Sequence, residues 1–187
     1  MKLTIQNMVC DRCIEAVRRI FEESDVSLVS IGLGEVYTSS SIEQPQLKRI
    51  SQDLDAKGFA LVYDRETEIL ERIKVSLLDY IKHLENTNNP DKLSDFIAGN
   101  VNYNYSYLSK LYSDKAGETI ERHLIRLKIE RVKELLSFRN MTLSEIAWKL
   151  NYSSVQYLSN QFKKVTGKTV TEYLSQGTPD RKTYDRV

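Results

Sequence analysis

Over the first 64 residues, apolar positions switch between alternation and helical spacing. Residues 2–5 alternate polar and apolar, as a half-buried strand does. Cys13, Ala16, Val17, Ile20 and Phe21 then recur at helical spacing. Residues 26–31 alternate again, Gly32-Leu33-Gly34 marks a turn, and residues 35–38 return as a strand. Pro45 suits a first helical turn. Leu47, Ile50, Leu54 and the stem of Lys57 form the inner face of that helix, Gly58 closes it, and residues 59–63 make the last strand. The order strand, helix, strand, strand, helix, strand predicts an α+β unit on the ferredoxin-like βαββαβ plan. Residues 66–84 follow as one strongly amphipathic helix, with Ile69, Leu70, Ile73, Leu77, Tyr80, Ile81 and Leu84 in a single stripe. Such a stripe packs within the chain or pairs two copies into a homodimer. The stretch ENTNNPDK (85–92) breaks the helix with Asn and Pro.

Beyond that break the pattern repeats. Residues 93–124 align without gaps on residues 143–174, at a shift of fifty. Leu93, Ser94, Tyr107, Leu108, Ser109, Gly117, Thr119 and Leu124 are identical to their counterparts, eight of 32 positions, which points to a duplicated unit. Each copy reads as a short helix, a polar turn and a longer helix. In the second copy the helices fall at 144–150 and 154–165, with Ser153 as N-cap and Gly167 as C-cap. In the first they fall at 93–99 and 105–115. A connecting helix near residues 120–138 buries Ile120, Leu124, Leu127, Val132, Leu135 and Leu136, and about 18 residues of it span about 27 Å. His123 and Trp148 read as packing residues. Two helix-turn-helix units on a stiff spacer suit entry into successive major grooves about 34 Å apart. A helical bundle duplicated only for packing is the bland alternative.

Composition narrows the classes. The chain has 187 residues, 41% hydrophobic and 28% charged, with no apolar run long enough to span a membrane and no signal-peptide pattern at its start. A cytoplasmic protein with reduced thiols is expected. Net charge is −3 over residues 1–64, −1 over 65–90 and +5 over 91–187. The positive excess thus sits with the repeat, as phosphate binding requires. No catalytic triad, paired catalytic carboxylates, P-loop or dinucleotide fingerprint is present, so no enzyme is expected.

The remaining chemistry is a CxxC pair, Cys10 and Cys13, in the first strand-to-helix loop. Free N–H groups and the helix dipole are expected to favour thiolate at Cys13. Two thiolates with no His in the unit suit Cu(I) better than four-coordinate zinc. Thiol redox and simple packing are the other readings of the pair.

Two resemblances follow from these residues. Met8-Val9-Cys10-Asp11-Arg12-Cys13, the element order and Gly58-Phe59 make residues 1–64 similar to the heavy-metal-associated domain of copper chaperones and metal-exporting ATPases. That likeness implies Cys10 and Cys13 as ligands for Cu(I) or another soft ion, Met8 as a packing residue and Phe59 as an aromatic neighbour. Arg12 would neutralise the complex or point into water. RLKIERVKELL (126–136) and the two repeat copies resemble the DNA-binding domain of AraC/XylS transcription regulators. Carried over by position, Val155, Gln156 and Asn160 read bases in the second copy, and Ser106, Ser109 and Lys110 in the first. Ser154, Tyr157, Lys163 and Lys164 meet phosphates, which position without specifying. Leu108, Leu111, Leu158 and Phe162 belong to the core.

The resulting expectation is an α+β ferredoxin-like sensor domain (1–64), a helical linker (65–90), an all-α DNA-binding domain with two helix-turn-helix units joined by a long helix (91–176), and a mobile tail (177–187). Its partner would be double-stranded promoter DNA, with no membrane. Alternatives are a DNA-binding regulator whose N-terminal unit only mediates protein contacts, and a metal-delivery module.

Overall fold

The computed structural model describes residues 1–138, 140–176, 182–184 and 187; most of the expected tail lies outside them. The chain divides into two compact units, Met1–Ser76 with Asn100–Asn102, and Leu77–Gly99 with Tyr103–Val187.

The first unit runs β1 (Lys2–Gln6), α1 (Asp11–Glu23), β2 (Leu28–Gly32), β3 (Glu35–Thr38), α2 (Gln44–Asp55) and β4 (Ala60–Val62). The strands form one antiparallel sheet in the order β2-β3-β1-β4. The register pairs Leu3 with Val36 and Ile5 with Leu61. Alternate side chains of a strand share a face, so these four meet Val17, Ile20 and Phe21 of α1 and Leu47, Ile50 and Leu54 of α2 in one core. The opposite face is covered by the first half of α3 (Arg65–Asn86). Thr4 between Leu3 and Ile5 is also buried. Lys2 donates to Glu68 at 3.0 Å and Gln6 to Glu71 at 3.5 Å. A Cβ on Gly34 would lie 3.2 Å from Val75, and its φ is +78°, so glycine serves both the β2–β3 turn and the close approach of the helix.

Three expectations shift here. β2 starts at Leu28 because Asp25 adopts a left-handed turn (φ 56°) and the Val26 N–H bonds back to the Phe21 carbonyl. β4 is shorter than residues 59–63, with Tyr63 exposed. Lys57 lies past the end of α2 and is exposed, so its stem does not join the inner face.

The second unit is helical. It holds the latter half of α3, where Leu77, Tyr80, Ile81 and Leu84 are buried. Tyr80 stacks edge-on to Phe96 at 5.1 Å and donates its hydroxyl hydrogen bond to the Asp91 carbonyl at 2.9 Å. Then come α4 (Leu93–Val101), α5 (Tyr105–Ala116), α6 (Ile120–Ser137), α7 (Leu143–Lys149), α8 (Val155–Thr166) and α9 (Val170–Ser175). α6 is the spine: it packs on α5, α7 and α8, and the six apolar residues assigned to its inner face are all buried, as is Ile129. Arg131 of α6 forms a bidentate pair with Glu85 of α3 and also reaches Glu134 at 2.8 Å. The division between units therefore falls inside α3, between Ser76 and Leu77, and not at the Asn/Pro break that follows it.

Candidate nucleic-acid interface

α8 is defined at both ends by its own residues. Ser154 is extended (φ −163°), and its hydroxyl accepts from the Tyr157 N–H at 3.1 Å. The cap is thus Ser154 and not Ser153, which shifts the helix one residue later than its spacing predicted. Gly167 ends it in the left-handed conformation, φ +76°, where a side chain would be strained. Leu158 and Phe162 are fully buried and fasten the helix to its neighbours. What remains outward is polar or basic: Gln156, Asn160, Lys163 and Lys164 are exposed, as are Val155 and Tyr157. Gln156 donates its amide to the Asn160 side-chain carbonyl at 3.0 Å, four residues along the same face. The pair leaves one carbonyl oxygen on Gln156 and one NH2 group on Asn160 directed outward, an acceptor and donor set of the kind that an adenine edge complements.

α5 repeats the construction. Asn104 caps it, accepting from the Ser106 N–H at 2.8 Å, and Gly117 closes it at φ +70°. Leu108, Leu111 and Tyr112 are buried, Ser106 and Lys110 are exposed, and Ser109 is half-buried. His123 is buried at the start of α6 as expected, with Nδ1 hydrogen-bonded to the Tyr112 hydroxyl.

The CxxC loop sits in the first unit. Cys10 is the N-cap of α1 and is exposed; Cys13 lies in the first turn and is half-buried against the core that contains Met8 and Phe59. Their sulfurs are 3.5 Å apart. Burial pushes the Cys13 thiol up, while the Val9 backbone pulls the other way and loses. The dipole-favoured thiolate expected at Cys13 is therefore opposed by desolvation. With metal–sulfur bonds of about 2.3 Å, this spacing would subtend roughly 100° at a shared ion, the angle of a three- or four-coordinate site and not of a two-coordinate one. No third ligand joins them: among the described residues, no group of three or more His, Cys, Asp or Glu side chains converges. Arg12 and Asp11 are exposed.

Comparison with known proteins bears on the helical unit. Residues 97–176 match the family model described as "Helix-turn-helix domain". Over those residues the chain is similar to a helix-turn-helix domain. It is 32% identical over 79 residues to the xylose operon regulatory protein of Escherichia coli, a match covering 42% of this chain and 20% of that protein. It is 26% identical over 106 residues to an HTH-type transcriptional regulator in the cgkA 5' region of Pseudoalteromonas carrageenovora, covering 55% of this chain and 63% of that one. The chain spans about a fifth of the length of the Escherichia coli relative. Among solved structures, the C-terminal domain of AraT, a response regulator from Geobacillus stearothermophilus, shares the fold. Its TM-score is 0.52 at 22% identity, covering 64% of this chain and 94% of that one.

Within the helix-turn-helix domain, two features depart from the sequence reading. Trp148 is 71% exposed on the outer face of α7, so it is not a packing residue. Tyr107, passed over as a contact, is 44% exposed at the position that matches Tyr157, 50% exposed. Each leans on a tyrosine of its own turn, Tyr107 on Tyr103 at 5.6 Å and Tyr157 on Tyr152 at 6.2 Å. The identity of Tyr107 and Tyr157 in the repeat was the available signal. No helix among the described residues is long and apolar enough to cross a membrane.

Proposed function

We propose that this protein is a sequence-specific DNA-binding transcription regulator of the AraC/XylS type. The observation that carries the reading is the duplicated helix-turn-helix. Each copy fastens its second helix by buried leucine and aromatic side chains and presents an exposed polar or basic face. The regulators named among its relatives support it. α8 reads bases through Val155, Gln156 and Asn160, and α5 through Ser106, Ser109 and Lys110. Ser154, Tyr157, Lys163 and Lys164 hold phosphates. The division of labour follows from chemistry: amides discriminate base edges, whereas ammonium groups and hydroxyls grip the backbone without reading it.

Two parts of the reading concern the first unit. Its element order and strand order support a ferredoxin-like sensor domain. The 3.5 Å thiol pair, one member exposed, supports a site for a soft ion such as Cu(I), held by Cys10 and Cys13. An ion bound there supplies a new charge and a crosslink between loop and helix. It regulates only if it binds two states of the protein with different affinity.

The test is selection of bound duplexes from a random pool by the full chain, with and without Cu(I). One recurrent site is expected, with affinity that falls steeply as salt rises. Failure to enrich any sequence at low salt contradicts the regulator. Enrichment that is identical with and without Cu(I), and identical for the Cys10→Ser/Cys13→Ser form, leaves the regulator standing and contradicts the metal response.

A further inference from the structure

A groove of about 710 Å³ opens between α6 and α8 in the helical unit. Arg122 and Arg126 line it from α6; Tyr157, Asn160, Gln161 and Lys164 line it from α8. Arg122 and Arg126 are four apart and so share one helix face. Three cationic side chains thus converge on one open trough. They are not equivalent. Arg126 is engaged by Glu118, and its Nε is buried. Arg122 and Lys164 are exposed, and among the described residues neither takes part in an ion pair. The trough is continuous with the outward face of α8, because Tyr157 and Asn160 belong to both.

We propose that this groove seats the phosphodiester backbone of the strand flanking the bases read by α8, with Arg122 and Lys164 as its two charge contacts. The inference rests on the DNA-binding reading and extends it to α6, whose role otherwise would be that of a spacer. A trough with cations at its rim and no enclosing wall suits a long polyanion that passes through. Arg122 offers a planar fork that matches two phosphate oxygens, and Lys164 a point charge across from it. Gln161, which donates to the Tyr157 hydroxyl at 3.1 Å, orients that phenol on the groove lining.

The experiment uses the full chain and a labelled duplex carrying the selected site, with affinity measured between about 50 and 200 mM salt. Each released phosphate contact lowers the steepness of log affinity against log salt by about 0.9. Arg122→Gln and Lys164→Gln are each expected to show that loss, and the double variant about twice it. The weakening should be the same factor on the selected duplex and on a scrambled one, because backbone contacts carry no sequence information. Arg49→Gln, at an exposed position of α2 in the other unit, should leave the slope unchanged. A wild-type protein that binds DNA while Arg122→Gln keeps the full slope overturns the groove assignment and spares the regulator. Weakening by Arg122→Gln on the selected duplex alone makes Arg122 a base reader, and also overturns it. A wild type that ignores all duplexes overturns both readings.

Discussion

At matching positions fifty residues apart, the two helix-turn-helix copies close their helices with the same chemistry and fill their interiors with different chemistry. Gly117 and Gly167 both take left-handed conformations at helix ends, and Thr119 and Thr169 both cap the helix that follows. Inside, Tyr112 meets His123 through a hydrogen bond, where the second copy sets Phe162 against Tyr173, edge to face at 5.4 Å. Beside that site, Glu118 of the first copy engages Arg126 and lies 3.5 Å from His123; the second copy has Lys168 there. The contrast separates two kinds of constraint. A left-handed residue or a cap admits few side chains, because the backbone geometry demands them. A core site admits any set that fills the volume and pairs its polar atoms.

The largest expected effect tests that contrast. Phe162→Ala should cost about 3–5 kcal/mol in urea unfolding, since it empties a fully buried site. Tyr112→Phe keeps the volume and strips one hydrogen bond from His123, so about 1–3 kcal/mol is expected. Equal costs would show that the first copy depends on its polar network as heavily as the second depends on packing.

The outward faces differ as well, and on the proposed DNA-binding function that difference should show in affinity. α8 carries the linked Gln156–Asn160 amides and two terminal lysines; α5 offers two serines, Lys110 and an acidic residue, Asp114. Gln156→Ala should cost about 1–3 kcal/mol on the preferred duplex and relax base preference at one position in a selection experiment. Lys110→Ala should cost less and relax less. The opposite ranking would make the first copy the principal reader.

Much of this was legible beforehand. The repeat gave itself away through positions where backbone geometry restricts residue choice, so helices α5 and α8 came out within one residue of their observed bounds. The turns did not. The left-handed turn residues are Asn102 and Asn151, 49 apart: Asn102 directly follows α4, whereas Leu150 separates Asn151 from the shorter α7. A gapless alignment conceals that slip. Trp148 misled because an indole is usually buried, whereas its exposure here is set by the short α7, which turns only Ile146 and Ala147 inward. The division inside α3 was hidden because one stripe of apolar residues serves two cores in succession. At Cys13, position on the helix argued for thiolate, and burial, invisible in the sequence, argued against it.

Smaller effects sharpen the comparison at the helix ends. Thr142 and Thr169 form reciprocal capping boxes with Glu145 and Glu172, whereas Thr119 accepts from the Arg122 N–H without a reciprocal box. Alanine at Thr142 or Thr169 should lower stability by about 1 kcal/mol, and at Thr119 by somewhat less. A pH-dependent effect concerns Lys128, whose ammonium lies 3.9 Å over the Tyr152 ring. Burial lowers its pKa from 10.5 to about 8. Between those values the unfolded chain binds more protons than the folded one, so stability contributed by this site rises with pH across that window. Lys128→Met should remove the rise, and the difference between the two stability curves should shrink as pH passes from 8 to 10.

The central claim is that both copies engage one duplex through α5 and α8. Hydroxyl-radical footprinting of the full chain on its selected site tests it most directly. The account predicts two protected patches on one face of the DNA, about one helical turn apart, with Gln156→Ala weakening one patch and Lys110→Ala the other. A single patch that both substitutions weaken alike, or no protection at low salt, would contradict it.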